Sequence, residues 1–107
     1  MMASSGWTVY LLECADGSYL GGMTRSLKRE VASINGTGLG IYFKKHPERL
    51  PVKPVFAETR LPFKEAYAKK MYLSEMTRRL RKKLIETKKW PMGGALRQYI
   101  FDTQVTD

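Results

Sequence analysis

The chain contains one cysteine, Cys14, and one histidine, His46. A lone cysteine leaves no internal disulfide and no multi-cysteine zinc site. It fits a reducing, intracellular setting, and a cytoplasmic location is the expectation. With a single histidine, neither a His-based metal cage nor a Ser-His-Asp triad has the parts it needs, so most hydrolase classes fall away. Long apolar runs are missing too. None reaches the roughly 20 residues of a membrane-spanning helix. The opening MMASSGWTVY carries neither the charged nor the apolar segment of a secretion signal, and no membrane partner is expected. Acidic residues are scarce, 10 against 19 Lys and Arg, which leaves a net charge of +9.

What is present fits one domain. A chain of 107 residues, 43% apolar and 11% aromatic, buries a modest core unaided. Its charge is concentrated. From Arg60 to Lys89 there are eleven cations (Arg60, Lys64, Lys69, Lys70, Arg78, Arg79, Arg81, Lys82, Lys83, Lys88 and Lys89) against Glu65, Glu75 and Glu86. Such a cluster favours a polyanion, and nucleic acid, DNA foremost, is the expected partner. A solvated helix face is the plainer meaning of a Lys-rich stretch, and a membrane surface is the lesser rival.

Hydropathy patterning places the elements. Trp7 to Cys14 has the β-branched, aromatic and aliphatic content of a buried strand. Asp16-Gly17 suits a two-residue hairpin turn, and Ser18 to Met23 returns. Gly21-Gly22 in the returning strand marks a bulge or a close backbone approach. Ser26 can cap a helix with Leu27, Val31 and Ile34 on one face, ending at Asn35-Gly36. Residues 36–54 form a long loop, and Val52 to Thr59 a third strand. Pro62 opens a helix carrying Phe63, Ala66, Tyr67 and Met71, and Ser74 offers the cap of another, with Met76, Leu80 and Leu84 on one face. Ala95 to Phe101 could add a short last element. The fold class is α/β in the α+β sense: a three-stranded mixed or antiparallel sheet with three or more helices. Residues 1–107 form one domain, with a core at 7–87 and a C-terminal extension at 88–107.

The segment VYLLECADGSYLGGMTRSLKRE resembles the start of a GIY-YIG domain, the catalytic module of homing and excision-repair nucleases, and is most like its short stand-alone bacterial form. The likeness resumes at VFAETRLPFKEAY. Gly40-Ile41-Tyr42 spells the motif by chance, after the hairpin. The resemblance implies a metal-dependent phosphodiesterase site. One tyrosine helps activate water and a second supports it. A helix arginine offsets phosphate charge, and a glutamate on a later helix holds Mg²⁺ or Mn²⁺.

Carried over residue by residue, the first tyrosine is Tyr10 and the motif glycine Gly22. The second tyrosine position holds Leu20, with Tyr19 one residue early and on the opposite face. The helix arginine position holds Glu30, with Arg29 about 100° away around the helix. The position of a frequent histidine holds Ile34, and the metal glutamate falls on Lys70. Cation and anion have exchanged places, and a Lys70–Glu30 ion pair could span the old site. A one-residue slip restores Tyr19, Gly21 and Arg29 together, yet leaves Lys70 where a ligand belongs.

The expected function is therefore a nucleic-acid-binding domain with a degraded catalytic site, no metal and no cofactor. Its phosphate contacts would be Lys44, Lys45, Lys70, Arg78, Arg79, Arg81, Lys82 and Lys83. The alternative is an active endonuclease using Tyr10, Tyr19, Arg29 and a relocated glutamate with Mg²⁺ or Mn²⁺. A protein-interaction module built on Met71, Tyr72 and Met76 is the least favoured.

Overall fold

In the computed structural model, residues 6–37 and 45–90 are described. Two strands, β1 (Trp7–Glu13) and β2 (Tyr19–Thr24), are followed by helix α1 (Leu27–Thr37). A 3₁₀ turn at Pro47–Arg49 leads to β3 (Lys53–Leu61), and α2 (Phe63–Glu75) and α3 (Arg78–Thr87) follow. The sheet order is β2-β1-β3, and both strand pairs are antiparallel. A mixed sheet was open from the sequence. The connection after α1 instead brings the chain to the free edge of β1 running against it. Ala95 to Phe101 and Gly40-Ile41-Tyr42 lie outside the described residues. Among the described residues, no helix is long and apolar enough to cross a membrane.

Being central, β1 is covered on both faces, and its alternation sorts two layers. Val9 and Leu11 join Phe56, Leu61, Ala66, Leu73, Met76 and Leu84 under α2 and α3. Tyr10, Leu12 and Cys14 join Ile34 and Val52 under α1. As the outer strand, β3 tolerates Pro54, whose missing N–H would break a ladder further in. Two register shifts bend it along β1, one beside Arg60, which adopts a left-handed backbone with φ 62°.

The paired glycines are close approaches. A Cβ on Gly22 would lie 2.6 Å from Cζ of Tyr10, its cross-strand partner, so the ring lies across bare backbone. A Cβ on Gly21 would face the other way, 3.3 Å from Cβ of Leu73, so its absence lets α2 settle on the sheet.

Three local expectations are corrected. The hairpin turn has three residues, Ala15 to Gly17, closed by Cys14 N–H donating to Ser18 C=O, with Gly17 at φ 87°. Asp16 Oδ1 accepts from both Ser18 N–H and Ser18 Oγ, which favours this wider loop. The cap of α3 is Thr77, whose side chain accepts from Leu80 N–H. Ser74 stays inside α2 and donates to Met71 C=O. Helix α1 also runs on through Asn35-Gly36. Asn35 Nδ2 donates to Val52 C=O at 2.9 Å, and Asn35 Oδ1 accepts from Val52 N–H at 2.7 Å. A residue that favours turns in isolation is kept helical here by two tertiary hydrogen bonds.

Asn35→Ala should lower the unfolding free energy in urea by about 1–2 kcal/mol, because both polar groups of the Val52 backbone lose their partner. Asn35→Asp keeps the acceptor for Val52 N–H and should lose less.

Candidate functional site

The site begins at Tyr10. Burial is the main cause that pushes its hydroxyl up to about 12, and the charge and hydrogen-bonding of the Glu30 carboxylate add to it. The phenol therefore keeps its proton at neutral pH and faces an anion. Such a group donates a hydrogen bond and holds its proton. Thr24 joins the pair: its Oγ1 lies 3.3 Å from Glu30 Oε1 and accepts from Ser26 N–H at 3.2 Å. The first turn of α1 thus presents Glu30 to the strand pair, with Arg29 turned outward.

Thr24, Arg25, Ser26, Arg29, Glu30 and Ser33 line a shallow cleft of about 270 Å³ beside this cluster. Arg29 borders it as an exposed side chain, with its N–H on Ser26 Oγ at 3.4 Å. The observed register pairs Tyr10 with Gly22. Tyr19 belongs to the opposite layer, where the Arg78 guanidinium lies 4.9 Å from its ring centroid. Tyr10 and Tyr19 cannot share a reacting centre across the sheet. The proposed Lys70–Glu30 pair does not form either. Among the described residues no salt bridge joins them, and Glu30 is turned to Thr24 and Tyr10.

Glu58 and Glu65 are engaged by the neighbouring Lys69. Lys69, only 6% exposed, donates to Glu58 at 2.8 Å and to Glu65 at 2.9 Å. Burial works against its charge, but the hydrogen bonds and charges of Glu58 and Glu65 outweigh that and raise its pKa. Trp90 closes the cluster, its Nε1 donating to Glu58 at 2.8 Å and its ring 5.3 Å from the Lys69 ammonium. No group of three or more His, Cys, Asp or Glu gathers among the described residues. With Glu58 and Glu65 neutralised and Lys70 at the position of the resembling ligand, these residues do not fit a divalent cation.

The predicted phosphate contacts divide. Arg79, Lys82 and Lys83 are exposed, spaced three and four residues apart on one face of α3. Arg78 donates to Gly17 C=O at 2.7 Å, and Arg81 donates to Leu73 C=O at 2.8 Å and Tyr19 C=O at 3.3 Å. Those two guanidiniums fasten α3 to the hairpin and to the end of α2. Lys45 is exposed, Lys70 is half-buried, and Lys44 lies outside the described residues. Sequence reasoning missed Thr24 and Lys69. Thr24 sits at a strand end where only the fold brings Glu30 to it. Lys69 sits within a Lys-Lys pair that gave no sign of burial.

No family model matches the chain. A UPF0213 protein of Lacticaseibacillus paracasei is 32% identical over 85 residues, covering 79% of this chain and 92% of its own. One from Limosilactobacillus reuteri is 30% identical over 84 residues, 78% of this chain and 86% of the relative. The UPF0213 protein YazA of Bacillus subtilis is 31% identical over 88 residues, 82% of this chain and 86% of the relative. The solution NMR structure of the UPF0213 protein BH0048 from Bacillus halodurans matches at TM-score 0.50 and 25% identity, covering 78% of this chain and 85% of that one. This small α+β chain belongs to the UPF0213 family.

The Tyr10 shift has a consequence for stability. The unfolded chain releases this proton near pH 10.0, the folded protein near pH 12. The folded state therefore holds the extra proton in between. The stabilisation is complete below about pH 10 and is lost as pH rises through about 12. Urea unfolding followed upward from about pH 9 should fall more steeply for the native protein than for Tyr10→Phe. Equal slopes would mean that the hydroxyl ionises normally.

Proposed function

We propose that this protein binds nucleic acid through a basic surface on a GIY-YIG-like scaffold and does not cleave it. The observation that carries this reading is the placement of charge. The outer face of α3 presents Arg79, Lys82 and Lys83 to solvent, while the tyrosine that would start cleavage faces the Glu30 carboxylate. Each outward cation on a phosphate releases counterions, which makes the affinity salt-dependent and indifferent to sequence.

Three arrangements support the absence of cleavage. A phosphate drawn toward Tyr10 would meet the carboxylate of Glu30, with Arg29 on the outer rim of the cleft. Tyr19, the second tyrosine of the active alternative, lies across the sheet beneath Arg78. Of the glutamates that alternative could draw on, Glu65 is bound to Lys69, as is Glu58, and Glu75 lies about 140° around the helix from Lys70.

Fluorescence anisotropy with a labelled DNA duplex tests the binding. The logarithm of affinity should fall linearly with the logarithm of salt concentration. Replacing Arg79, Lys82 and Lys83 together by Gln should flatten that slope by about 2–3. A flat response for the native protein would refute the reading. Supercoiled and branched DNA incubated in Mg²⁺ or Mn²⁺ should stay intact, and nicking that disappears in Tyr10→Phe would restore the endonuclease.

A further inference from the structure

A second surface departs from the usual pattern of exposure. Phe63 is 53% and Tyr67 45% exposed, the most exposed large apolar side chains among the described residues. They stand one helical turn apart at the start of α2, with ring centroids 6.1 Å apart and planes within 17°. Trp7 meets Phe63 edge-on at 5.3 Å, and the Arg25 guanidinium lies 5.4 Å from the Trp7 ring. Four π-systems therefore run in a row from the cleft onto α2. An i, i+4 aromatic pair stabilises a helix by only about 0.2–0.5 kcal/mol, too little to account for leaving two such rings in water.

Charge identifies what such a row would take. On an α-helix, positions 63, 67, 70 and 74 fall within about 60° of one another. Lys70 and Ser74 therefore continue the line of Phe63 and Tyr67. Lys70 has no ion pair with a described residue. At the other end Arg25 joins the row to the cleft, whose rim carries Arg29. Glu65 is held by Lys69 and Glu30 by Thr24 and Tyr10, and Glu75, next to Ser74, is turned about 100° from that residue around the helix. Flat apolar faces with a cation at each end match unpaired bases carried on phosphates. Every base has a π-face, so stacking of this kind tolerates sequence. From position 63 to 70 the helix advances about 10 Å, room for one or two nucleotides.

We infer that Trp7, Phe63 and Tyr67 form a stacking platform for the unpaired bases of a single-stranded polynucleotide, with Lys70 and Arg25 holding its flanking phosphates. This rests on the nucleic-acid reading above and specifies the form of nucleic acid. The charge at position 70, which removes a metal ligand, there serves the backbone of the strand.

The experiment compares three labelled probes of equal length: a dT oligomer, the same backbone with abasic sites at its centre, and a duplex. A rU oligomer as competitor separates DNA from RNA, since both supply bases and phosphates. The native protein should bind dT roughly tenfold or more tightly than the abasic strand, with quenching of Trp fluorescence. In Phe63→Ser/Tyr67→Ser that preference should vanish while duplex affinity and its salt slope stay unchanged. Both rings are largely exposed, and circular dichroism checks that the variant is folded. Lys70→Gln should reduce the single-strand salt slope by about 0.7. Equal affinity of the native protein for dT and abasic strands would overturn the platform and leave the α3 surface standing. Binding to none of the probes would overturn both. Self-association of the native protein that the double variant abolishes would reassign the rings to a second copy of the chain and overturn the proposal.

Discussion

The middle strand of this sheet is covered on both faces, and β1 carries a tyrosine there. A phenol buried on such a strand must place its hydroxyl against something polar, and here that is the Glu30 carboxylate, with Thr24 beside it. The arrangement depends on Gly22. Any Cβ there would strike the Tyr10 ring, so the strand pairing, the glycine and the first turn of α1 are fitted to one another. Because the hydroxyl is buried and also faces an anion, its proton is held more tightly than on a free phenol. The same geometry that completes the core keeps this hydroxyl protonated well beyond neutral pH.

A second polar cluster, on the opposite layer, follows the same logic with the signs exchanged. Lys69 is buried where α2 meets β3, and burying an ammonium is costly unless opposite charges meet it. Glu58 and Glu65 do so at hydrogen-bond distance, and Trp90 joins them from beyond α3. These carboxylates serve the fold by balancing the buried ammonium. Arg78 and Arg81 are likewise drawn into the architecture by carbonyls of the hairpin and α2. The high positive charge is thus divided: part ties helices to the sheet, and part stays in solvent on the outer row of α3 and the line of α2.

Much of this was legible beforehand. The order of strands and helices followed from periodicity, and the placement of Tyr19 opposite Tyr10 followed from strand alternation. The glycine pair announced a close approach. Other features were hidden because they depend on partners distant in sequence. Asn35 has the chemistry of a helix stop, but Val52 holds it in the helix. Ser74 and Thr77 are both plausible caps, and the kink between α2 and α3 decided for Thr77. Lys69 and Lys70 are chemically identical neighbours, yet about 100° of helical rotation sends one into the core and leaves the other at its edge.

By itself the sequence determined the two periodicities and the surplus of cations, because these are properties of residue type and local spacing. The tertiary structure alone decided which cations are committed to carbonyls and carboxylates and which remain in solvent. It also decided that the aromatic rings of Phe63 and Tyr67 stay outside the core. The reason is that a side chain's free energy is set by what surrounds it, and surroundings are assembled only when distant segments meet.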